Sequence, residues 1–358
     1  MSMATIPLSC MLIYNIPGMS LFSSIDVGSN TLRLLIGKFV DNRIIDVYSD
    51  RKITRLGSMV DHTRTLQPEN TALSLQVLRK FSTVMKRYGV RHVKAVATSA
   101  LREAENADMF IRRVREETGI RVEVISGEKE AHLILKGILY AFSPAGVKAM
   151  RPLSPALAGE SAKESPPQAL FIMDIGGGST EWIVYDGENR HSMGSLPAGV
   201  IKLARKCIRT DQVSETDIDE LNHEINSTLK TIATELRRLI TKSTLFIGTA
   251  GTFTTIAAVD LGLDSYSREK IHLHHIPLLR LTKMQRKFVR LPLEKRKKIQ
   301  GLEPERADLI IPGLQFTMNV MKLFHFRELI ISDYGLLEGA LLEIKETIEE
   351  GLPETGKS

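Results

Sequence analysis

Cysteine is almost missing from this chain. Its 358 residues hold only Cys10 and Cys207, and there is no Cys-x-x-Cys pair. That excludes a disulfide framework and a thiolate zinc site, and makes a reducing cytoplasm the simplest compartment. Residues 1–20 contain no Lys or Arg, so the basic start of a secretory signal is absent. Pro7, Asn15, Pro17 and Gly18 interrupt the apolar stretch there, which falls short of the ~20 residues a spanning helix needs. These residues read as a loose leader, and no membrane partner is expected. Aromatic residues make up only 6%. With no recognition motif and no stacking pattern, nucleic acid is not expected as a partner either. The net charge of +6 still suits some polyanion, such as a nucleotide or a phosphate polymer. No G-x-x-x-x-G-K-[ST] string occurs, so a P-loop is excluded.

What is present is one motif written twice. Residues 24–37 read SIDVGSNTLRLLIG, and residues 172–187 read IMDIGGGSTEWIVYDG. Each is an apolar strand carrying an Asp, then a Gly-containing turn with hydroxyl side chains, then a second apolar strand. Gly28 and Gly176, Gly177 and Gly178 let backbone approach a ligand closely. Successive N–H groups in such turns form anion nests. Ser29, Asn30, Thr31, Ser179 and Thr180 add uncharged donors. Asp26, Asp174 and Glu181 would repel a phosphate unless a hard cation such as Mg²⁺ stood between them. One such hairpin is an ordinary turn; two with the same opening suggest a duplicated phosphate-handling unit.

Between the copies, the spacing of Leu73, Val77, Leu78, Phe81 and Met85 predicts a helix over 68–88. Strands are expected over 92–98 and 121–126, with helices over 105–117 and about 128–142. The order is that of a mixed α/β domain with helices covering a sheet. Residues 143–168 are rich in Pro, Ser, Ala and Gly and read as a flexible insertion. Further on, Ser214 is an expected N-cap for a helix over 214–241. G-T-A-G-T at 248–252 opens another helix, with backbone donors at its N-terminus. An amphipathic helix is expected over 335–350. Two further segments invite readings. The basic run 283–298 holds eight Lys or Arg and one Glu, and could lead a polyanion toward a cleft or form a solvated face. His272, His274 and His275 read as alternating strand positions, with no Cys or acidic pair near them to complete a metal site.

Taken together, D-x-G-S-N-T at 26–31, A-T-S-A-L-R-E-A-E-N at 97–106, I-S-G-x-x-E-A at 125–131, D-I-G-G-G-S-T-E at 174–181, G-T-A-G-T at 248–252, G-L-E-P-E-R-A-D at 301–308 and S-D-Y-G-L-L-E-G at 332–339 resemble the exopolyphosphatase / guanosine pentaphosphate phosphohydrolase family. The resemblance runs from about residue 21 to 345. It implies two ribonuclease-H-like domains of the actin / sugar kinase / heat-shock-chaperone ATPase superfamily, with a cleft between them. Residues 21–127 plus the C-terminal helix 333–350 would form domain I, and 128–332 domain II. The chain resembles the short form of the family, and a homodimer is compatible with it.

The resemblance also implies roles. Glu130 is the expected base, with Glu128 as fallback because Lys129 departs from the common Glu-Glu-Ala pattern. A carboxylate suits that task if it reaches the attacking water. Arg102 would point at the phosphate, where its fork suits phosphate oxygens. Asp174 and Glu181 would ligate Mg²⁺ or another divalent cation. Gly176, Gly177, Gly178, Ser179 and Thr180 would cradle the terminal phosphate, opposed by Asp26, Gly28, Ser29, Asn30 and Thr31. Leu337 stands where the family commonly carries Arg. The expected activity is release of terminal orthophosphate from inorganic polyphosphate. Alternatives are hydrolysis of guanosine pentaphosphate, an ATP-dependent kinase of the same superfamily, and a non-catalytic polyphosphate or alarmone binder.

Overall fold

The computed structural model of the chain describes residues 20–143, 169–188 and 191–351. The expected leader (save residue 20) and the expected insertion (save residue 143) lie outside the described residues.

Two sheets share one plan. The first contains β1 (Phe22–Val27), β2 (Thr31–Val40), β3 (Arg43–Ile53), β4 (His92–Ala97) and β5 (Val122–Val124), in the order β3-β2-β1-β4-β5. The second contains β6 (Leu170–Ile175), β7 (Thr180–Tyr185), β8 (His191–Leu196), β9 (Leu245–Thr249), β10 (His275–Pro277) and β11 (Glu328–Ile331), in the order β10-β11-β9-β6-β7-β8. Starting from β8, the second order β8-β7-β6-β9-β11 repeats the first, with β10 added at the edge. Strand senses repeat as well: β1 and β6 each pair antiparallel with the next strand and parallel with β4 or β9. The repeated hairpin is thus the visible part of a repeated five-strand unit. Both motif aspartates lie near the ends of interior strands.

Strand alternation explains how each sheet is covered. Phe171 and Met173 face a core with Trp182, Val184, Phe246 and Phe253. Leu170 and Ile172 face the other way, toward Ile183 and Ile247. A strand buried on both faces reads as a continuous apolar run, as LFIMDI does. Trp182 packs in the core.

The helices that matter are α1 (Pro68–Tyr88), α2 (Ser99–Glu103), α3 (Ala107–Thr118), α4 (Gly127–Phe142), α5 (Val200–Cys207), α6 (Glu215–Leu239), α7 (Ala250–Leu261), α8 (Leu278–Val289), α9 (Ile310–Leu323) and α10 (Leu336–Glu349). Local signals set their ends. α1 has Pro68 in its first turn and stops at left-handed Gly89. α6 opens with a capping box made by Ser214 and Asp217.

Two helices cross between the sheets. α4 follows β5 yet packs on β7 and β8, whereas α10 follows β11 and packs on β1, β2 and β4. They touch each other through glycines. A Cβ on Gly137 would sit 2.0 Å from the Gly335 carbonyl oxygen, and one on Gly339 would sit 1.9 Å from that of Leu133. Only residues without a Cβ allow this approach.

One expectation needs correction, and one open reading is narrowed. Residues 272–275 do not form one strand: a short helix, Arg268–Ile271, runs into a turn in which Leu273 has φ 62°, and β10 starts at His275. The left-handed residue breaks the alternation that the histidine reading assumed. The basic run 283–298 has the solvated face that is its other reading, and none of its residues lines the cavity between the hairpin turns. α8 buries Leu281, Met284 and Phe288, which turns Lys283, Arg286 and Lys287 to solvent. Arg296 is buried and donates to the Asp211 carbonyl at 2.9 Å.

Candidate active site

A cavity of about 460 Å³ lies between the two hairpin turns. Asp26, Gly28, Ser29, Asn30 and Thr31 line one side, and Asp174, Gly176, Gly177, Gly178 and Ser179 the other. The turns are built alike, with Gly28 N–H donating to Thr31 O at 3.2 Å and Gly176 N–H to Ser179 O at 3.0 Å. They also touch. A Cβ on Gly178 would lie 2.4 Å from Ser99 Oγ and 3.0 Å from Ser29 Oγ. The Gly176 and Gly177 carbonyls accept from Val200 and Ile201 N–H at 2.9 and 3.0 Å, at the start of α5. Because a trans peptide sets N–H opposite C=O, the N–H groups of Gly177 and Gly178 point away from α5.

Glu130 enters from the first turn of α4. The N-cap Ser126 Oγ accepts from Lys129 N–H at 3.1 Å, fixing the start of that helix. Glu130 is buried and lines the cavity, whereas Glu128 is exposed. Lys129 turns the other way and pairs with Glu343 of α10 at 2.7 Å. Arg102, delivered by α2, donates through Nη1 to Glu130 Oε2 at 2.7 Å and to the Ile125 carbonyl at 2.9 Å. Its Nη2 lies 3.4 Å from Ser179 Oγ and 3.9 Å from Glu181 Oε1. One guanidinium therefore joins both halves of the site.

The carboxylates hold their protons unusually well. Burial, then the charge of Glu181, raises Glu130 well above the ordinary range, with Arg102 pulling the other way. Burial and Glu181 likewise raise Asp174, opposed by Arg33. Burial raises Glu181, opposed by hydrogen bonds from Ser195 and Ser179. Such clustered buried carboxylates suit a bound cation. Among the described residues, no three His, Cys, Asp or Glu side chains form a ready-made metal cage. Mg²⁺ does not require one, since it uses one or two carboxylates with waters and substrate phosphates.

Three expected site residues are not on the cavity wall: Arg102, which stands behind Glu130 and Ser179, and Thr180 and Glu181. Thr180 is fully buried, and its hydroxyl donates to the Ala198 carbonyl. Glu181 is 1% exposed and accepts from Ser195 Oγ at 2.7 Å. Both sit in β7, whose two faces are covered. Asp174 is thus the member of the expected metal pair that lies on the wall.

The family model described as the Ppx/GppA phosphatase family matches residues 35–150 and 161–347. The chain belongs to the Ppx/GppA phosphatase family. It is 26% identical over 339 residues to Exopolyphosphatase 2 of Mycobacterium tuberculosis, covering 90% of this chain and 98% of that protein. It is 29% identical over 331 residues to a bifunctional 3-dehydroquinate synthase/phosphatase of Fusobacterium nucleatum, covering 90% of this chain but 46% of that longer protein. Among solved structures, the Ppx/GppA family member of Aquifex aeolicus superposes with a TM-score of 0.71 at 28% identity, covering 94% of this chain and 100% of that one. An exopolyphosphatase of Cytophaga hutchinsonii gives 0.78 at 25% identity, covering 93% and 99%. The two-domain α/β architecture is that of these relatives.

Several wall residues of this Ppx/GppA chain escaped sequence reasoning. Arg33 donates to Asp26 Oδ2 from Nε and Nη2 at 2.9 and 2.7 Å. Arg306 is buried, bonds Glu303 at 2.8 Å and reaches Thr31 Oγ1 at 3.1 Å. Arg268 pairs with Asp46, Asp333 and Glu338 at the far end of the cavity. Leu337 lines the same end without a charge. For Arg33 a signal existed, because setting one motif over the other places Arg33 on Glu181. For Arg268 there was none, since its partners come from β3, the loop after β11 and α10.

Proposed function

We propose that this protein is a Mg²⁺-dependent hydrolase that releases terminal orthophosphate from inorganic polyphosphate. The observation that carries this reading is the Arg102–Glu130 pair, held at 2.7 Å at a cavity lined by both Gly-rich turns. Phosphoryl transfer to water needs positioning, charge neutralisation and a group that takes the water's proton. Glu130, raised in pKa, is suited to take that proton near neutral pH. The water oxygen bonds to the terminal phosphorus, the bond to the bridging oxygen breaks, and the shortened chain leaves with its negative charge. Arg102, bonded to Glu130 at 2.7 Å and 3.4 Å from Ser179 Oγ, would neutralise charge on the transferred group from behind these two wall residues. The Gly177, Gly178 and Ser179 turn and the Ser29–Thr31 turn receive the terminal phosphate from opposite sides. Asp174 would hold Mg²⁺, with Glu181 behind it; the ion supplies charge neutralisation on the phosphate oxygens. The same reading takes 21–127 with 333–350 as one domain and 128–332 as the other, placed in the cytoplasm.

Removal of the 5′ terminal phosphate of guanosine pentaphosphate is the second reading. Tyr266, 45% exposed on the cavity wall, favours it by offering a ring for a base. Orthophosphate release from long-chain polyphosphate and from guanosine pentaphosphate, measured side by side, tests both. Polyphosphate turnover that is lost in Glu130→Gln supports the first reading. Turnover of the nucleotide alone supports the second, and release from neither substrate refutes both.

A further inference from the structure

The two copies of the motif differ at one charged position. Asp26 pairs across its hairpin with Arg33, and Asp174 pairs across its hairpin with Glu181. The spacing is the same in both, so Arg33 and Glu181 occupy equivalent sites of the duplicated unit. The chemistry is opposite. In the second copy, two buried carboxylates are cross-strand partners, and burial and the charge of Glu181 raise Asp174. In the first, Arg33 Nε and Nη2 both bind Asp26 Oδ2, at 2.9 and 2.7 Å. Arg33 also lines the cavity, with 27% of its side chain exposed. Burial works against its charge, but Asp26, Asp174 and Glu338 outweigh it and keep the guanidinium protonated. Asp174 feels Arg33 in return. A fixed cation therefore stands beside one motif aspartate and within electrostatic reach of the other.

We propose that Arg33 is the resident cation of the first motif, standing where the second motif has the buried Glu181 behind the wall residue Asp174, so that the duplicated site takes one divalent ion, at Asp174, and not two. Arg33 is then a positioning residue. It holds Asp26 against the first turn and presents a positive edge to the incoming phosphates. It does so without the dehydration cost that a second Mg²⁺ would carry. The inference rests on the hydrolase reading for the ion's purpose, but the ion count decides it independently.

The test is a titration of the full chain with Mn²⁺, counting bound ions by electron paramagnetic resonance of the free ion. One ion is expected for the wild type and for Arg33→Lys, and none for Asp174→Asn. Two are expected for Arg33→Glu, which rebuilds at Asp26 the pairing of Asp174 with Glu181. Arg33→Gln covers the case in which Arg33→Glu does not fold, and is expected to gain a second, weaker site. The inference is overturned by a wild type that binds two ions or none, or by folded Arg33 variants lacking the cation that stay at one. Orthophosphate release by the same wild-type sample judges the hydrolase reading separately: an active enzyme with two bound ions sinks this inference alone.

Discussion

Arg102→Gln is the substitution that probes the site most directly. Arg102 lies 2.7 Å from Glu130 and 3.9 Å from Glu181, so it is the guanidinium that faces both buried carboxylates. Burial and Glu181 push the Glu130 pKa up, and the charge and hydrogen bond of Arg102 oppose them. An adjacent opposite charge depresses a carboxyl pKa by about 1–3 units. Without Arg102, Glu130 should climb further. A base works only when unprotonated, so activity is lost as pH falls through its pKa. The acid limb of kcat/KM should therefore move to higher pH. Below that limb each unit corresponds to about tenfold in rate, or about 1.4 kcal/mol. Loss of its charge behind the phosphate adds a pH-independent drop. The assay is orthophosphate release across the neutral range with Mg²⁺ in excess, beside Glu130→Gln, which should show a low rate with no Glu130 limb. An Arg102→Gln profile whose acid limb stays in place or moves down would refute the reasoning.

Three further outcomes follow from the fold. His272 is buried, its Nε2 has no partner, and its pKa is lowered from 6.5 to about 4 by burial. It stays neutral in the fold but gains a proton when unfolded, so stability should fall as pH drops from about 6.5 toward 4, by up to ~1.4 kcal/mol per unit. His272→Asn should flatten that slope in urea midpoints measured across the window; an equally steep slope in the variant counts against it. Gly137→Ala would gain up to about 1 kcal/mol of helix propensity, yet its Cβ would collide with the Gly335 carbonyl. A lower thermal midpoint is expected, and an unchanged or higher one would mean that the α4–α10 crossing is looser than described. Arg55 grips Asp308 at 2.8 and 2.9 Å, tying the first sheet to the segment before α9. A double-mutant cycle should give a coupling of up to ~1 kcal/mol that shrinks with added salt; no coupling at low salt would show the clasp to be idle.

Much of the fold was legible because its signals are local. The Asp-Gly hairpins, the α1 stripe ending at Gly89 and the Ser214 cap each depend on residues a few positions apart. The duplication was legible for the same reason, and so was the family, since its motifs are short strings in a set order. Facing was not legible. Whether Glu128 or Glu130 meets the cavity depends on how α4 lies on the second sheet, and Lys129 finds Glu343 across 214 positions of chain. The basic run could be read as a substrate guide or a solvated face, and the buried face of α8 shows the exposed one. Thr180 looked like a phosphate donor until its hydroxyl was committed to Ala198. By itself, then, the sequence determined the repeated units, their elements and the family, through short-range backbone preference and apolar periodicity. The tertiary structure alone decided which charges meet: Arg102 with Glu130, Arg33 between the two aspartates, Arg268 among its acids. Those pairings depend on burial and on contacts between distant segments, which no local pattern encodes.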